Sequence, residues 1–311
     1  MRTRSIGSLE VSVVGLGCNN FGGRLDAERT TAVVHAALDA GITFFDTADV
    51  YGGTRSEEFL GRALASRRSE VVIGTKFGMQ VSEGKKGARP QYVRAALADS
   101  LRRLGTDYVD LYQLHAPDPD TPIAETLGAL DECVRAGTVR EIGCSNFTVE
   151  QMRAAAEAAA AGSTARFVSV QNHYNLLHRS PERDVLPECE RTGTAFVPYF
   201  PLAAGALTGK YRRGAPPPEG ARLAGAAADR SQGPLSDANL EVVERLEAWA
   251  QGHGHSPVEL AVAWILAHPP VASVIAGATT AAQVHANVAA ADWALDAAAK
   301  AEVDALVPSP T

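Results

Sequence analysis

Short runs of β-branched and apolar residues recur along this chain at nearly even intervals, and no other feature narrows its fold as far. The runs open at Val13, Thr43, Val71, Tyr108, Val139, Phe167, Ala195 and Ala272, and they read as strands. Between them lie segments with helical spacing, among them Ala27 to Leu38, Ser56 to Leu64, Pro90 to Leu104, Pro122 to Arg135 and Thr148 to Ala160. From Thr43 to Ala195 the strand starts are 28, 37, 31, 28 and 28 residues apart, close to the roughly 30 residues of one strand–helix unit. Gly41, Gly137 and Gly193 each follow a helical run, where a left-handed residue satisfies the last carbonyls. Eight apolar parallel strands need cover on both faces, and closure supplies it. The expected fold is α/β, a (β/α)8 TIM barrel occupying 1–311 as a single domain.

The pattern has three additions. Arg4 to Ser12, with Gly7-Ser8 at its turn, reads as an N-terminal β-hairpin able to plug the barrel floor. Residues 203–237, rich in Gly and Pro, interrupt the repeat after strand seven. Extra helices follow at Leu235 to Gly252 and Pro257 to Ala267, the second with Ser256 and Glu259 spaced as a capping box, and a further one is expected at the C-terminus.

Two nucleotide folds compete poorly. Gly15-Leu16-Gly17-Cys18-Asn19-Asn20 lacks the third glycine of a dinucleotide fingerprint, and Gly205-Ala206-Leu207-Thr208-Gly209-Lys210 misses the phosphate-loop spacing and carries Tyr211 where a magnesium-binding hydroxyl should stand.

Charge and cysteine usage exclude other classes. With 29 basic and 36 acidic side chains the net charge is −7, and no basic run interleaved with aromatics is present, so nucleic acid is not an expected partner. No apolar run approaches the ~20 residues of a membrane span, and Met1 to Gly7 lacks the apolar core of an export signal. A cytoplasmic location is expected. Cys18, Cys133, Cys144 and Cys189 form no CxxC pair and are read as reduced thiols. His253-Gly254-His255 reads as a helix-ending loop, so no metal is expected, and the sequon Asn146-Phe147-Thr148 is read as a chance match.

In such barrels reactive groups sit at the C-terminal ends of strands. Asp46 follows Phe44-Phe45, Tyr51 lies in the next loop, Lys76 closes the third strand and His115 the fourth. An ammonium beside a phenol stabilises its anion, a carboxylate holds the ammonium, and an imidazole can bind a substrate oxygen and share a proton relay. Together the four suit carbonyl reduction. A lysine at a strand end is also compatible with Schiff-base lyase chemistry, although Asp46 would raise its pKa rather than lower it.

The segment Gly41-Ile42-Thr43-Phe44-Phe45-Asp46-Thr47-Ala48-Asp49-Val50-Tyr51-Gly52, with Gly74-Thr75-Lys76 and Gln113-Leu114-His115, resembles the aldo-keto reductase family along nearly the whole chain. The resemblance implies an NAD(P)H-dependent oxidoreductase that reversibly reduces an aldehyde or ketone, with Asp46, Tyr51, Lys76 and His115 as catalytic tetrad and Tyr51 as proton donor. It also implies cofactor contacts at Gly17, Cys18, Asn19, Ser145, Asn146, Gln171, Tyr199, Phe200, Pro201, Leu202, Gly205, Leu207, Lys210, Gly277, Thr279, Gln283 and Asn287. Ser145, Asn146 and Gln171 would hold the carboxamide, and Tyr199 would stack on the nicotinamide. NADP(H) is favoured by the resemblance, while Thr279, standing where many relatives carry a basic residue, leaves NAD(H) open. Asn19, Asn20, Phe21, Tyr51 and Phe77 are expected to edge a pocket for a small carbonyl or alcohol substrate. Some relatives resemble cofactor-sensing subunits, which gives a non-catalytic alternative.

Overall fold

The structure is a computed structural model that describes residues 1–224 and 233–308. The N-terminal hairpin pairs β1 (Thr3–Ile6) with β2 (Leu9–Ser12), and Gly7 takes the positive φ of its turn. The barrel then runs β3 (Val14–Gly17), α1 (Ala27–Asp39), β4 (Phe44–Asp46), α2 (Arg55–Leu64), β5 (Val72–Phe77), α3 (Pro90–Leu104), β6 (Val109–Leu114), α4 (Ile123–Arg135), β7 (Val139–Ser145), α5 (Val149–Gly162), β8 (Ser169–Gln171), α6 (Val185–Thr192) and β9 (Ala195–Phe196). After it come α7 (Asp237–Gly252), α8 (Pro257–Leu266), β10 (Val274–Gly277), α9 (Ala281–Ala289) and α10 (Ala297–Leu306). The expected 203–237 interruption is described except for residues 225–232.

Strands β3 to β9 pair in sequence order, all parallel, and β10 adds beside β3. Phe196 closes the ring: its N–H donates to Pro270 O, and its carbonyl accepts from Ala272 N–H. Local chemistry sets the element ends as the sequence suggests. Gly41, Gly137 and Gly193 all have positive φ, and Ser256 and Glu259 cap α8 reciprocally.

Alternation along the strands splits the core in two. An inner cluster fills the barrel with Phe44, Val72, Leu111, Val168, Val197 and Ile275, and Ile6, Leu9 and Val11 of the hairpin close its floor. The larger outer cluster packs the other strand faces under the helices. Gly74 makes room inside: a Cβ there would lie 3.2 Å from the Phe44 ring. Gly61 does so outside, since a Cβ would sit 2.3 Å from Leu104 O at the α2–α3 crossing. With the floor plugged, the open end of the barrel is the one at which β4, β5 and β6 deliver Asp46, Lys76 and His115.

Candidate active site

The alternation of β5 turns Val72, Gly74 and Lys76 inward, and Lys76 is fully buried at the top of the inner core. Its Nζ donates to Asp46 Oδ2 at 2.6 Å and to Thr47 O at 2.8 Å. Asp46 Oδ1 accepts from Gln171 Nε2 at 2.9 Å and from Gln113 Nε2 at 3.3 Å. The buried pair therefore has the extra hydrogen bonds that such a pair needs to offset its desolvation. Burial pulls the Lys76 ammonium down, but Asp46 and Tyr51 outweigh it and leave its pKa above the ordinary value.

Tyr51 stands on the turn after β4, where its N–H donates to Ala48 O and its carbonyl accepts from Ser56 N–H. Lys76 Nζ lies 5.2 Å from the centre of its ring, and the His115 ring meets it edge-on at 5.8 Å. The phenol departs from expectation in one respect: burial pushes its pKa above the ordinary value, and Lys76 only partly pulls it back. Likewise, burial first and Lys76 second lower His115 to about 3. At that value the imidazole is neutral near pH 7, with one ring N–H to donate and one ring nitrogen to accept. Its Nδ1 is buried without a partner among the described residues.

A second bank adjoins this one. Ser145 Oγ donates to Gln171 O at 2.7 Å, and Asn146 Nδ2 donates to His115 O at 3.0 Å and to Ser145 Oγ at 3.1 Å. Tyr199 O–H donates to Asn146 Oδ1 at 2.9 Å. His173 lies flat against the Tyr199 ring at 5.3 Å, and Phe200 meets that ring edge-on. One hydrogen-bonded chain thus runs from Lys76 through Asp46, Gln171, Ser145 and Asn146 to Tyr199.

The remaining rim comes from two distant stretches. Phe200, Ala203 and Ala204 have positive φ, as does Gly205, a strained run of the kind that collects at functional sites. A Cβ on Gly205 would sit 3.1 Å from Lys210 Nζ, so the glycine lets that side chain fold back. Pro201 and Leu207 are buried beneath the run and Leu202 is half-buried. On the other side Gly277 pairs with Gly17, and Asn20 Nδ2 donates to Ala278 O. Gln283 Oε1 accepts from Thr279 N–H at 2.7 Å at the start of α9, Asn287 is buried on that helix, and Asn19 is half-buried beside Gly277.

Three of the expected contact residues have fully buried side chains. Phe77 follows Lys76 and so faces outward, fully buried and stacked on Tyr112 at 4.6 Å. Phe21 is fully buried in the outer cluster, with its carbonyl against Gly52. Cys18 is fully buried too; its N–H donates to Asp46 O and its carbonyl accepts from Ser56 Oγ. Their side chains pack into the wall around the Tyr51 turn. All four cysteines are free and buried. His253 and His255 stack on Trp249 and Trp293.

Sequence reasoning missed Arg24 and Arg222. The Arg222 guanidinium lies 5.2 Å from the Phe200 ring, and Arg24 donates to Gly220 O. Burial and then the charge of Arg24 lower both Arg222 and Lys210. Three like charges therefore share one rim, none with a carboxylate partner among the described residues.

Comparison with known proteins supplies the context. The model of the Aldo/keto reductase family matches residues 13–308. A protein of Oryza sativa subsp. japonica named probable voltage-gated potassium channel subunit beta is 34% identical over 300 residues, 94% of this chain and 92% of its own. The aldo-keto reductase yakc, NADP(+), of Schizosaccharomyces pombe is 35% identical over 274 residues, 85% of this chain and 79% of its own. Among solved structures, the glycerol dehydrogenase AKR11B4 from Gluconobacter oxydans superposes with a TM-score of 0.84 at 32% identity, covering 98% of this chain and 94% of that one.

Proposed function

The chain belongs to the aldo/keto reductase family, and from that premise we propose that it reversibly reduces a small aldehyde or ketone with NAD(P)H, Tyr51 giving the proton. The observation that carries this reading is the continuous contact between the two banks: Gln171 bonds Asp46 directly while Ser145 bonds Gln171. Proton-handling groups and amide-binding groups thus share one mouth.

The residues present suit a nicotinamide dinucleotide. The strained run after Tyr199 exposes backbone, and the Arg24, Lys210 and Arg222 charges suit a diphosphate. Ser145 and Asn146 would hold the carboxamide, the face of Tyr199 would support the ring, and Thr279 with Gln283 would meet the adenosine end. When bound, the cofactor supplies the hydride. Neutral His115 would donate to the substrate oxygen, and Tyr51 would pass its proton to that oxygen as charge develops. Lys76, kept cationic by Asp46, stabilises the phenolate left behind. Its positive charge offsets part of the burial of the phenol.

The yakc name specifies NADP(+), which supports the phosphorylated cofactor, whereas Thr279 brings no charge to a 2′-phosphate. Tyr51→Phe should lower kcat for carbonyl reduction by about a thousandfold or more while NADPH still binds, as followed by nicotinamide absorbance and fluorescence. Full turnover in that variant would refute the assignment. The relative named as a channel subunit favours a second reading, a cofactor-sensing subunit; tight NADPH binding without turnover on a broad carbonyl panel would select it.

A further inference from the structure

The wall behind the tetrad holds its charges in pairs, with one exception. Lys76 is matched by Asp46 at 2.6 Å, and Glu57, itself fully buried, is matched by Arg103 Nε at 2.6 Å and accepts from Thr75 Oγ1 at 2.5 Å. Asp49 is the odd acid. It is 1% exposed, and neither carboxylate oxygen has a well-formed hydrogen bond among the described residues, the neighbouring Val50 amide giving only a weak one. Its backbone is fixed, since its N–H donates to Lys76 O at 3.1 Å. It sits two residues before Tyr51 on the same turn.

The titratable groups facing it come from every neighbouring element: Glu57 on α2, Arg103 and Tyr92 on α3, Lys76 on β5 and Tyr112 on β6. Burial and then Glu57 push the Asp49 carboxyl up to about 7, and Arg103, the Val50 amide and Lys76 only partly oppose them. A charge with no counter-charge in a dry wall is expensive, and the inexpensive remedy is to keep the proton.

We propose, resting on the reductase reading, that Asp49 is a positioning residue for Tyr51: its carboxyl keeps its proton while the enzyme works, and losing it slackens the Thr47–Gly52 turn that aims the phenol. A neutral Asp49 is compatible with the packed turn. An ionised one draws water or a cation into the wall, and the phenol moves with the backbone. Because a small misplacement of a reacting group costs rate rather than affinity, the effect falls on kcat and not on KM.

Asp49→Asn, which imitates the protonated acid, tests this. In the wild type kcat for reduction should drop about fivefold as pH rises through 7, and in Asp49→Asn that limb should vanish while KM stays the same in both. An equal limb in both proteins overturns the proposal. Melting temperature tests the proton without turnover. Native Asp49 binds its proton more tightly than the unfolded chain does, so its contribution to wild-type stability falls as pH rises from 3.8 to about 7. The margin of Asp49→Asn over wild type should therefore widen across that window and stay level above it. A margin independent of pH overturns the proposal even if no carbonyl is ever found to be reduced, which separates its failure from that of the reductase reading. Should Asp49→Asn fail to fold, hydrogen exchange of the Ala48 to Gly52 amides in the wild type decides: corrected for intrinsic rate, protection should fall above pH 7, and constant protection overturns the claim.

Discussion

The two sides of the barrel mouth handle charge in opposite ways. On the Lys76 side the ammonium and carboxylate are buried, paired at 2.6 Å and further bonded to Thr47, Gln113 and Gln171. On the opposite rim the charge of Arg24 bears on both Lys210 and Arg222 beside a backbone run of positive φ. The first arrangement is complete without a ligand and can hold a reacting phenol still. The second gathers positive charge with no carboxylate partner among the described residues, and under the proposed function that charge would meet an anion. The difference teaches that the buried core itself neutralises the charges of the Lys76 side, whereas the opposite rim collects like charges from separate loops.

The largest effect should come from breaking the complete side. Lys76→Met strands Asp46 as a buried, unpaired carboxylate and should cost about 3–5 kcal/mol, measured by urea unfolding, with loss of turnover. Adding Asp46→Asn should restore most of the stability and none of the activity. If Lys76→Met alone were as stable as wild type, the pair would not be the dry device described above.

Breaking the cationic rim should give the reverse pattern. Arg222→Leu should leave ligand-free stability within about 0.5 kcal/mol of wild type. It should weaken NADPH binding about tenfold and flatten the dependence of Kd on salt, as followed by titration of nucleotide fluorescence. Phe77→Leu sharpens the boundary between wall and mouth: it should cost about 1 kcal/mol by thermal or urea unfolding, with substrate KM unchanged.

The remaining prediction concerns acid. Burial holds His115 near 3 and both His173 and His268 near 4, each below the ordinary 6.5. The unfolded chain therefore binds protons that the native chain refuses, and these three groups make stability fall as pH drops from about 6.5 toward 4. Melting curves across that window should show the fall, and His173→Gln should reduce it without removing it. Asp49 acts in the opposite direction over part of the same range, so Asp49→Asn should steepen the fall.

Much of this architecture was readable before any coordinates. The strand and helix starts were legible because apolar spacing, glycine caps and the Ser256–Glu259 box are local signals, and Pro90–Leu104 coincides with the observed α3. The four polar residues at the ends of β4, β5 and β6 were legible because parallel strands share one end. Phe77 was misread since its neighbour Lys76 is the inward residue, and adjacent strand residues face opposite ways. The burial of Cys18 and Phe21 was not legible because a loop residue's direction depends on what packs over it, here Ser56 and Gly52.

Residue types and their order were enough to determine an eight-stranded α/β barrel with a carboxylate, a phenol, an ammonium and an imidazole near its open end, because periodicity and turn chemistry act over a few residues. Tertiary structure alone decided which of these groups hold protons. Desolvation at Tyr51, His115 and Asp49, and the gathering of Arg24, Lys210 and Arg222 from far-apart loops, are properties of the space around each atom. That space exists only after the whole chain has closed around it.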